Sequence, residues 1–349
     1  MSTPPTLIFI PGSWHKPACY DSIITLLQST HNLSCLSVTL PSTTGNPGAT
    51  FKDDIDAASS TILSQTNHGK DVVVIAHSYG GMVGNSAIKD LTRPKEQDGQ
   101  APIPAIGKEK GKSKGYVIGL ILIASGFTFT GLSFMDPLLG HPPPFWRANW
   151  ESGFAELVDP PGPRELFYHD LPDEEAEYWV SQLTTQSLKA LFEGGEYAYA
   201  GWKDVPTWYL GTVEDQGLPV VVQRMMVGMA RGMGGDIQHR ELQSSHSPFL
   251  SVREQTVSVV VEAVEAFTAQ STVRVRGTEV ESGTISTGLE GHRYGGGEMV
   301  FVPSPTLWRP FTWLKFGIPL GVGHLLGRGI VIFTWGRRLW RSRFGAWSV

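Results

Sequence analysis

The chain has 349 residues, 41% of them hydrophobic and 17% charged, with a formal net charge of −5. An apolar fraction of that size sustains a packed core and excludes global disorder, and the acidic balance removes the electrostatic basis for nucleic-acid binding. The two cysteines, Cys19 and Cys35, belong to no CxxC pair or Cys/His cluster, which argues against a disulfide scaffold or a structural zinc site.

The first apolar run, Thr6–Ile10 (TLIFI), stops at Pro11-Gly12 and reads as a strand buried on both faces. It is too short for the core of a secretory signal and has no basic leader, so the expected location is cytoplasmic. The same texture recurs at residues 34–40, 71–76, 117–124 and 207–210, with helix-like stretches at 21–28, 53–64 and 82–91 between. This alternation predicts an α/β fold with a mostly parallel central sheet flanked by helices. Residues 93–115, rich in Pro, Gly and Lys, read as a mobile surface loop. Residues 126–206 break the alternation, and between 127 and 202 lie 15 of the chain's 36 aromatic residues. That density predicts an inserted, aromatic-rich helical cap at 127–205 over a site. The core then comprises 1–126 and 206–270, closed by a short strand at 237–242 and an amphipathic helix at 253–267.

The most informative run is Val72-Val73-Val74-Ile75-Ala76-His77-Ser78-Tyr79-Gly80-Gly81. A buried strand ends in small-x-Ser-x-Gly and turns at once into a helix. At such an elbow the serine backbone is strained, and small residues two before and two after it let strand and helix approach. Ala76 and Gly80 fill those positions, Ala replacing the first Gly of G-x-S-x-G. Ser78 is therefore the candidate nucleophile, held where a helix N-terminus favours developing negative charge. A second oxyanion donor beside the Tyr79 N–H is expected from the loop after the first strand, Pro11-Gly12-Ser13-Trp14-His15, with Ser13 as the candidate.

The stretches LIFIPGSWHKPACY, VVVIAHSYGGMVG and YLGTVEDQGLP together resemble the α/β-hydrolase superfamily. Within it they resemble the branch of plant methyl esterases and hydroxynitrile lyases and its fungal and microbial esterase relatives, over about residues 5–268. The resemblance implies the chain order nucleophile, acid, base. Two carboxylates, Glu214 and Asp215, follow the strand at 207–210, and the family's pattern assigns the acid to Asp215. It assigns the base to His246, in Ser244-Ser245-His246-Ser247-Pro248, with His77 read as packing at the strand end and His239 as lying inside a strand. Hydroxynitrile lyases carry a Lys directly after the catalytic His; Ser247 stands there, so the expectation is hydrolysis of an ester, thioester or lactone.

Trp14, His15, Trp146 and Trp150 are candidate substrate-binding residues, His15 being left between substrate contact and the capping of a turn. The aromatic cap predicts a bulky apolar small-molecule partner, of the kind met in polyketide or other secondary metabolism. No glycine-rich phosphate loop and no metal-ligand spacing occurs, so neither cofactor nor metal is expected. Two alternatives stand beside hydrolysis: a non-catalytic binding protein, and a pocket that promotes cyclisation, dehydration or acyl transfer with His246 as base.

Residues 271–349 carry a net charge of +6, and no acidic residue follows Glu298. A polar, Gly-rich linker at 271–300 leads to an apolar stretch at 311–335 that contains Lys315, His324, Arg328 and five glycines, followed by Arg337, Arg338, Arg341 and Arg343. A basic flank after an apolar run fits a membrane anchor. Against it, Arg at mid-span costs about 2.5–3.5 kcal/mol and the glycines weaken a helix. The weight of the reading falls on a disordered appendage or a gene-model artefact.

Overall fold

A computed structural model describes residues 3–94, 114–276, 300–305 and 310–344, without side chains at 273–276 and 336–344. Most of the loop read at 93–115, and residues 277–299 of the linker read at 271–300, lie outside the described residues; residues 271–276 continue the last core helix. The core begins β1 (Thr6–Ile10), α1 (Asp21–His31), β2 (Ser34–Ser37), α2 (Phe51–Thr66), β3 (Val72–His77), α3 (Gly80–Ala87) and β4 (Val117–Ile123). An insertion then holds β5 (Trp146–Asn149), β6 (Phe154–Leu157), α4 (Gly162–Tyr168), α5 (Asp173–Gln182) and α6 (Leu188–Phe192). The core resumes with β7 (Thr207–Thr212), α7 (Val220–Gly232), β8 (Ile237–Leu242), α8 (Pro248–Ser251) and α9 (Arg253–Arg276). The tail contributes α10 (Pro310–Thr312), a π-helical step at Trp313–Gly317, and α11 (Ile318–Phe344).

β1, β3, β4 and β7 are buried at every position, the consequence of helices on both faces of a parallel sheet. The six strands run in the order β2-β1-β3-β4-β7-β8, each pair parallel. This is the architecture the sequence predicts, a parallel sheet flanked by helices with a helical insertion. The insertion also contains an antiparallel hairpin, β5 with β6, that the apolar pattern does not reveal.

The strand order reverses between β1 and β3, because β1 is followed outward by β2 and the chain then returns to β1's other side. Such a switch point opens a crevice at the carboxyl ends of the strands, where the two following loops diverge. Here those loops carry Gly12-Ser13 and Ser78. Their approach is enforced by glycine: a Cβ at Gly80 would collide with the carbonyl oxygens of Ile10 and Pro11, and one at Gly84 would lie 3.1 Å from the Cβ of Ala76. α2 is docked against the same corner. Its N-terminus is closed by a Thr50–Asp53 capping box, and its buried Asp54 accepts hydrogen bonds from the Tyr79 hydroxyl (2.7 Å) and the Ser42 N–H (2.9 Å).

Because the atoms that Gly80 approaches are backbone, they cannot swing aside. Gly80→Ala is expected to cost about 1–3 kcal/mol, the scale of an overpacked core site, measured as a lowered urea midpoint. An unchanged midpoint would mean that strand and helix separate freely.

Candidate active site

Ser78 follows β3 directly and holds φ at +50°, a left-handed conformation that non-glycine residues adopt at a cost. Three hydrogen bonds hold it there. Its N–H donates to the Ile123 carbonyl of β4 (3.0 Å), and its carbonyl accepts from the Ser125 hydroxyl (2.7 Å) and the Gly81 N–H (2.9 Å). Ser78 is partly exposed while His77, Tyr79, Gly80 and Gly81 around it are buried, so the strain presents this one side chain.

The loop after β1 lies on top of it. A Cβ on Gly12 would sit 3.0 Å from both Ser78 Cβ and His77 Nδ1. Among the described residues, neither the Ser13 nor the Tyr79 backbone N–H donates to a protein acceptor, although both residues are buried. Buried donors of this kind are rarely left idle; two beside a strained serine form a candidate oxyanion site.

Asp215 lies just beyond the carboxyl end of β7. Its Oδ1 accepts from the N–H groups of Gly217 (2.8 Å) and Leu218 (2.7 Å), and its Oδ2 from the Thr212 hydroxyl (2.7 Å) and the Gln223 amide (3.3 Å). Oδ2 also takes the Nδ1–H of His246 at 2.8 Å. The neighbouring Glu214 turns outward to Gln243. The structure thus joins Asp215, and not Glu214, to His246. With Nδ1 bonded to a carboxylate, the free Nε2 of His246 is the acceptor nitrogen.

His77, read from sequence as strand-end packing, holds the His246 loop. Its Nε2–H donates to the His246 carbonyl (2.9 Å), and the two rings are 4.6 Å apart. His246 is therefore fastened to the residue immediately before Ser78.

A model of the alpha/beta hydrolase family matches residues 7–259. The chain belongs to that family. It is similar to the alpha/beta hydrolase nvfD of Aspergillus novofumigatus, 26% identical over 260 residues that span 74% of this chain and 96% of that one. Among solved structures it resembles a pyrethroid hydrolase from Sphingobium faniae (TM-score 0.56, 20% identity, 76% of this chain and 98% of that one). It also resembles tomato methylketone synthase I in complex with 2-tridecanone (TM-score 0.56, 13% identity, 76% and 100%). The family match makes the chain a hydrolase, and the solved structures, at these identities, show the shared fold.

The insertion of this hydrolase is bound to all three loops through four consecutive residues. The Tyr168 hydroxyl donates to His15 Nε2 (2.8 Å), whose Nδ1–H donates to the Ser13 carbonyl (2.7 Å). His169 Nε2–H donates to the Glu214 carbonyl (3.0 Å). Phe167 accepts the Ser245 hydroxyl on its carbonyl (2.9 Å), and Asp170 accepts the Ser245 N–H (2.7 Å). The Phe167 ring lies 5.6 Å from that of His246. The sequence reading passed over residues 167–170, since each partner is distant along the chain and nothing local marks it.

Trp14 and His15 are buried between core and insertion. The Trp14 indole N–H donates to the Ala155 carbonyl (2.9 Å), and its ring faces Phe167 and Trp146. Both ring nitrogens of His15 are taken by protein partners, Ser13 and Tyr168, and fasten the loop to the insertion. Trp146 is buried against Trp14 and Phe192; Trp150, at the end of β5, is 68% exposed with its ring on Phe192. Trp150 is not among the rings around His246.

Burial pushes the His15 ring down to about 4 and that of His77 well below the usual histidine range, with the neighbouring histidines adding to both shifts. Burial thus favours the neutral form of both rings, a form their hydrogen bonds accommodate. Between pH 6.5 and 4 the unfolded chain binds a proton that folded His15 refuses. Its contribution to stability is therefore complete above pH 6.5 and lost as the pH falls toward 4. His15→Gln should flatten the fall in unfolding free energy between pH 6.5 and 5 by up to about 1.4 kcal/mol per pH unit. Parallel urea-denaturation curves across that range would contradict the assignment.

Proposed function

We propose that this hydrolase cleaves an ester, thioester or lactone of a bulky apolar small molecule through an acyl-enzyme on Ser78. The observation that carries the proposal is the Asp215–His246 hydrogen bond on a loop tied by His77 to the position before the strained serine.

Ser78 Oγ attacks the substrate carbonyl while His246 Nε2 takes its proton. Asp215 holds the imidazole in the required tautomer and stabilises the imidazolium that forms. The Ser13 and Tyr79 N–H groups receive the oxyanion of the tetrahedral intermediate. His246 returns the proton to the departing alcohol or thiol; water, activated by the same nitrogen, then releases the acid from Ser78. Each component is prepared in advance, which reduces the reorganisation needed in the transition state. The Phe167 ring against His246, with the Trp14 and Trp146 rings stacked outward from it, favours an apolar acyl or alcohol group. The neighbours support that class, one being a pyrethroid hydrolase and another holding 2-tridecanone.

A fluorophosphonate probe should label Ser78 in the folded protein, and Ser78→Ala should abolish both labelling and turnover, by roughly 10⁴-fold or more. Asp215→Asn should approach the same loss, because an amide no longer enforces the imidazole tautomer. Glu214→Gln should stay within a few-fold of wild type. Folded protein that resists the probe would favour general-base chemistry or binding without hydrolysis; a damaging Glu214→Gln would move the acid by one residue.

For substrate class, Trp146→Ala should lower kcat/KM on bulky aromatic esters by about 10–200-fold, the worth of a lost apolar contact, and leave acetate esters nearly unchanged. Equal losses on both would make Trp146 a packing residue with no part in selection.

A further inference from the structure

The tail helix is fixed to the body of the protein at three places. Phe301 exchanges two backbone hydrogen bonds with Glu241 on β8 (2.8 and 2.9 Å). Arg224, paired through both its Nε and an Nη with buried Glu241 (2.7 Å each), also donates to the Lys315 carbonyl (3.0 Å), its guanidinium lying 4.6 Å from the Phe316 ring. The third place is a contact between backbones. A Cβ on Gly228 or Gly232 of α7 would strike the Leu320 or His324 carbonyl of α11. A Cβ on Gly323 or Gly327 of α11 would strike the Met225 or Met229 carbonyl of α7. The two Gly-x-x-x-Gly pairs are reciprocal, the arrangement that lets helices meet without side chains between them. Interior glycine costs a helix about 1 kcal/mol each, an expense these four offset through close contact.

With one side of α11 committed to α7, the opposite side carries an apolar stripe, with the exposed Arg328 at its edge. Ile318, Val322, Leu325, Ile332 and Phe333, spaced at helical intervals, are all exposed, Leu325 by 72% and Phe333 by 69%. Gly329, on the same stripe, has nothing within 4 Å of a built Cβ. Among the described residues, 310–335 is the one segment long and apolar enough to cross a membrane, and 17% of its most apolar window is buried, so it is no core helix. Trp313 and Trp335, near its two ends, are exposed. The helix runs on through Arg337, Arg338, Arg341 and Arg343 with no acidic residue in the tail after Glu298. Water is a poor neighbour for so large an apolar stripe. The combination of an apolar face, terminal tryptophans and an arginine-rich extension matches the interface of an anionic bilayer.

We infer that α11 docks this protein on an anionic lipid surface, lying in the plane of the interface with its glycine side held to α7 and its Leu325–Phe333 side in the acyl boundary. A helix held along one side by backbone contact cannot cross the bilayer without leaving α7, so the mode is surface attachment. This inference is independent of the reaction at Ser78.

The test is flotation of the full-length chain with vesicles of phosphatidylcholine and phosphatidylserine. Wild type should float with the vesicles. Binding should weaken roughly tenfold or more on pure phosphatidylcholine or in high salt. The triple variant L325E/I332E/F333E should stay in the soluble fraction while keeping its melting temperature and its ester hydrolysis, because all three positions are exposed. Three results would overturn the inference: wild type that does not float, a triple variant that floats as well as wild type, or a concentration-dependent dimer in light scattering that the triple variant abolishes while vesicle binding is absent throughout. The last would assign the stripe to a second copy of the chain.

Discussion

The carbonyl oxygens of Ile10 and Pro11 press against Gly80, and the rest of the site is arranged around that contact. It brings the ends of β1 and β3 together at the one place in the sheet where the strand order reverses. With no room for a longer turn, the chain enters α3 through a left-handed serine, and the turn after β1 must pass directly over it as Gly12. The strain at Ser78 is thus a consequence of two parallel strands and a helix meeting without a side chain between them. The hydrogen bonds from Ser125 and to Ile123 keep it from relaxing.

The insertion plays a larger part in this geometry than a cover would. Phe167, Tyr168, His169 and Asp170 bind the loops that carry Ser13, Asp215 and His246, and Phe167 lies against the His246 ring. Three loops emerging from separate strand ends are therefore indexed to a single short segment. His15, which joins Ser13 to Tyr168, does so as a neutral ring because burial removes its basicity. His77 does the same between Ser78 and His246. Two histidines outside the Asp215–His246 pair thus act as hydrogen-bonding spacers.

The sheet was legible in the sequence because buried parallel strands are continuous apolar runs. Thr6–Ile10 is such a run and is read to the residue; Ile237–Leu242 (IQHREL) is bounded correctly without being one, and Ser78 stands out because Ala76 and Gly80 flank it. Asp215 was separable from Glu214 only through family resemblance, since the Gly217 and Leu218 N–H groups that turn it inward leave no local signature. The β5–β6 hairpin escaped because each strand is only four residues long: the alternation in WRAN is too short to stand out, and FAEL does not alternate. The four residues at 167–170 escaped because their partners are set by tertiary structure. The tail shows the opposite error: its glycines read as helix-weakening, and four across α7 and α11 instead form the contact that holds the helix.

The pairing of Phe301 with Glu241 has a bearing on where the folded unit closes. β8 is the last strand of the sheet, and an unpaired edge of this kind is a template on which other chains add. By laying a few residues along it, the tail withdraws part of that edge from pairing, while the Lys315 carbonyl satisfies an N–H of the buried Arg224. Ending the polypeptide after α9 would uncover both, together with the bare ridge of Gly228 and Gly232. The tail therefore covers an edge and a ridge of the hydrolase core, and a chain shortened there would offer both as a seam for self-association.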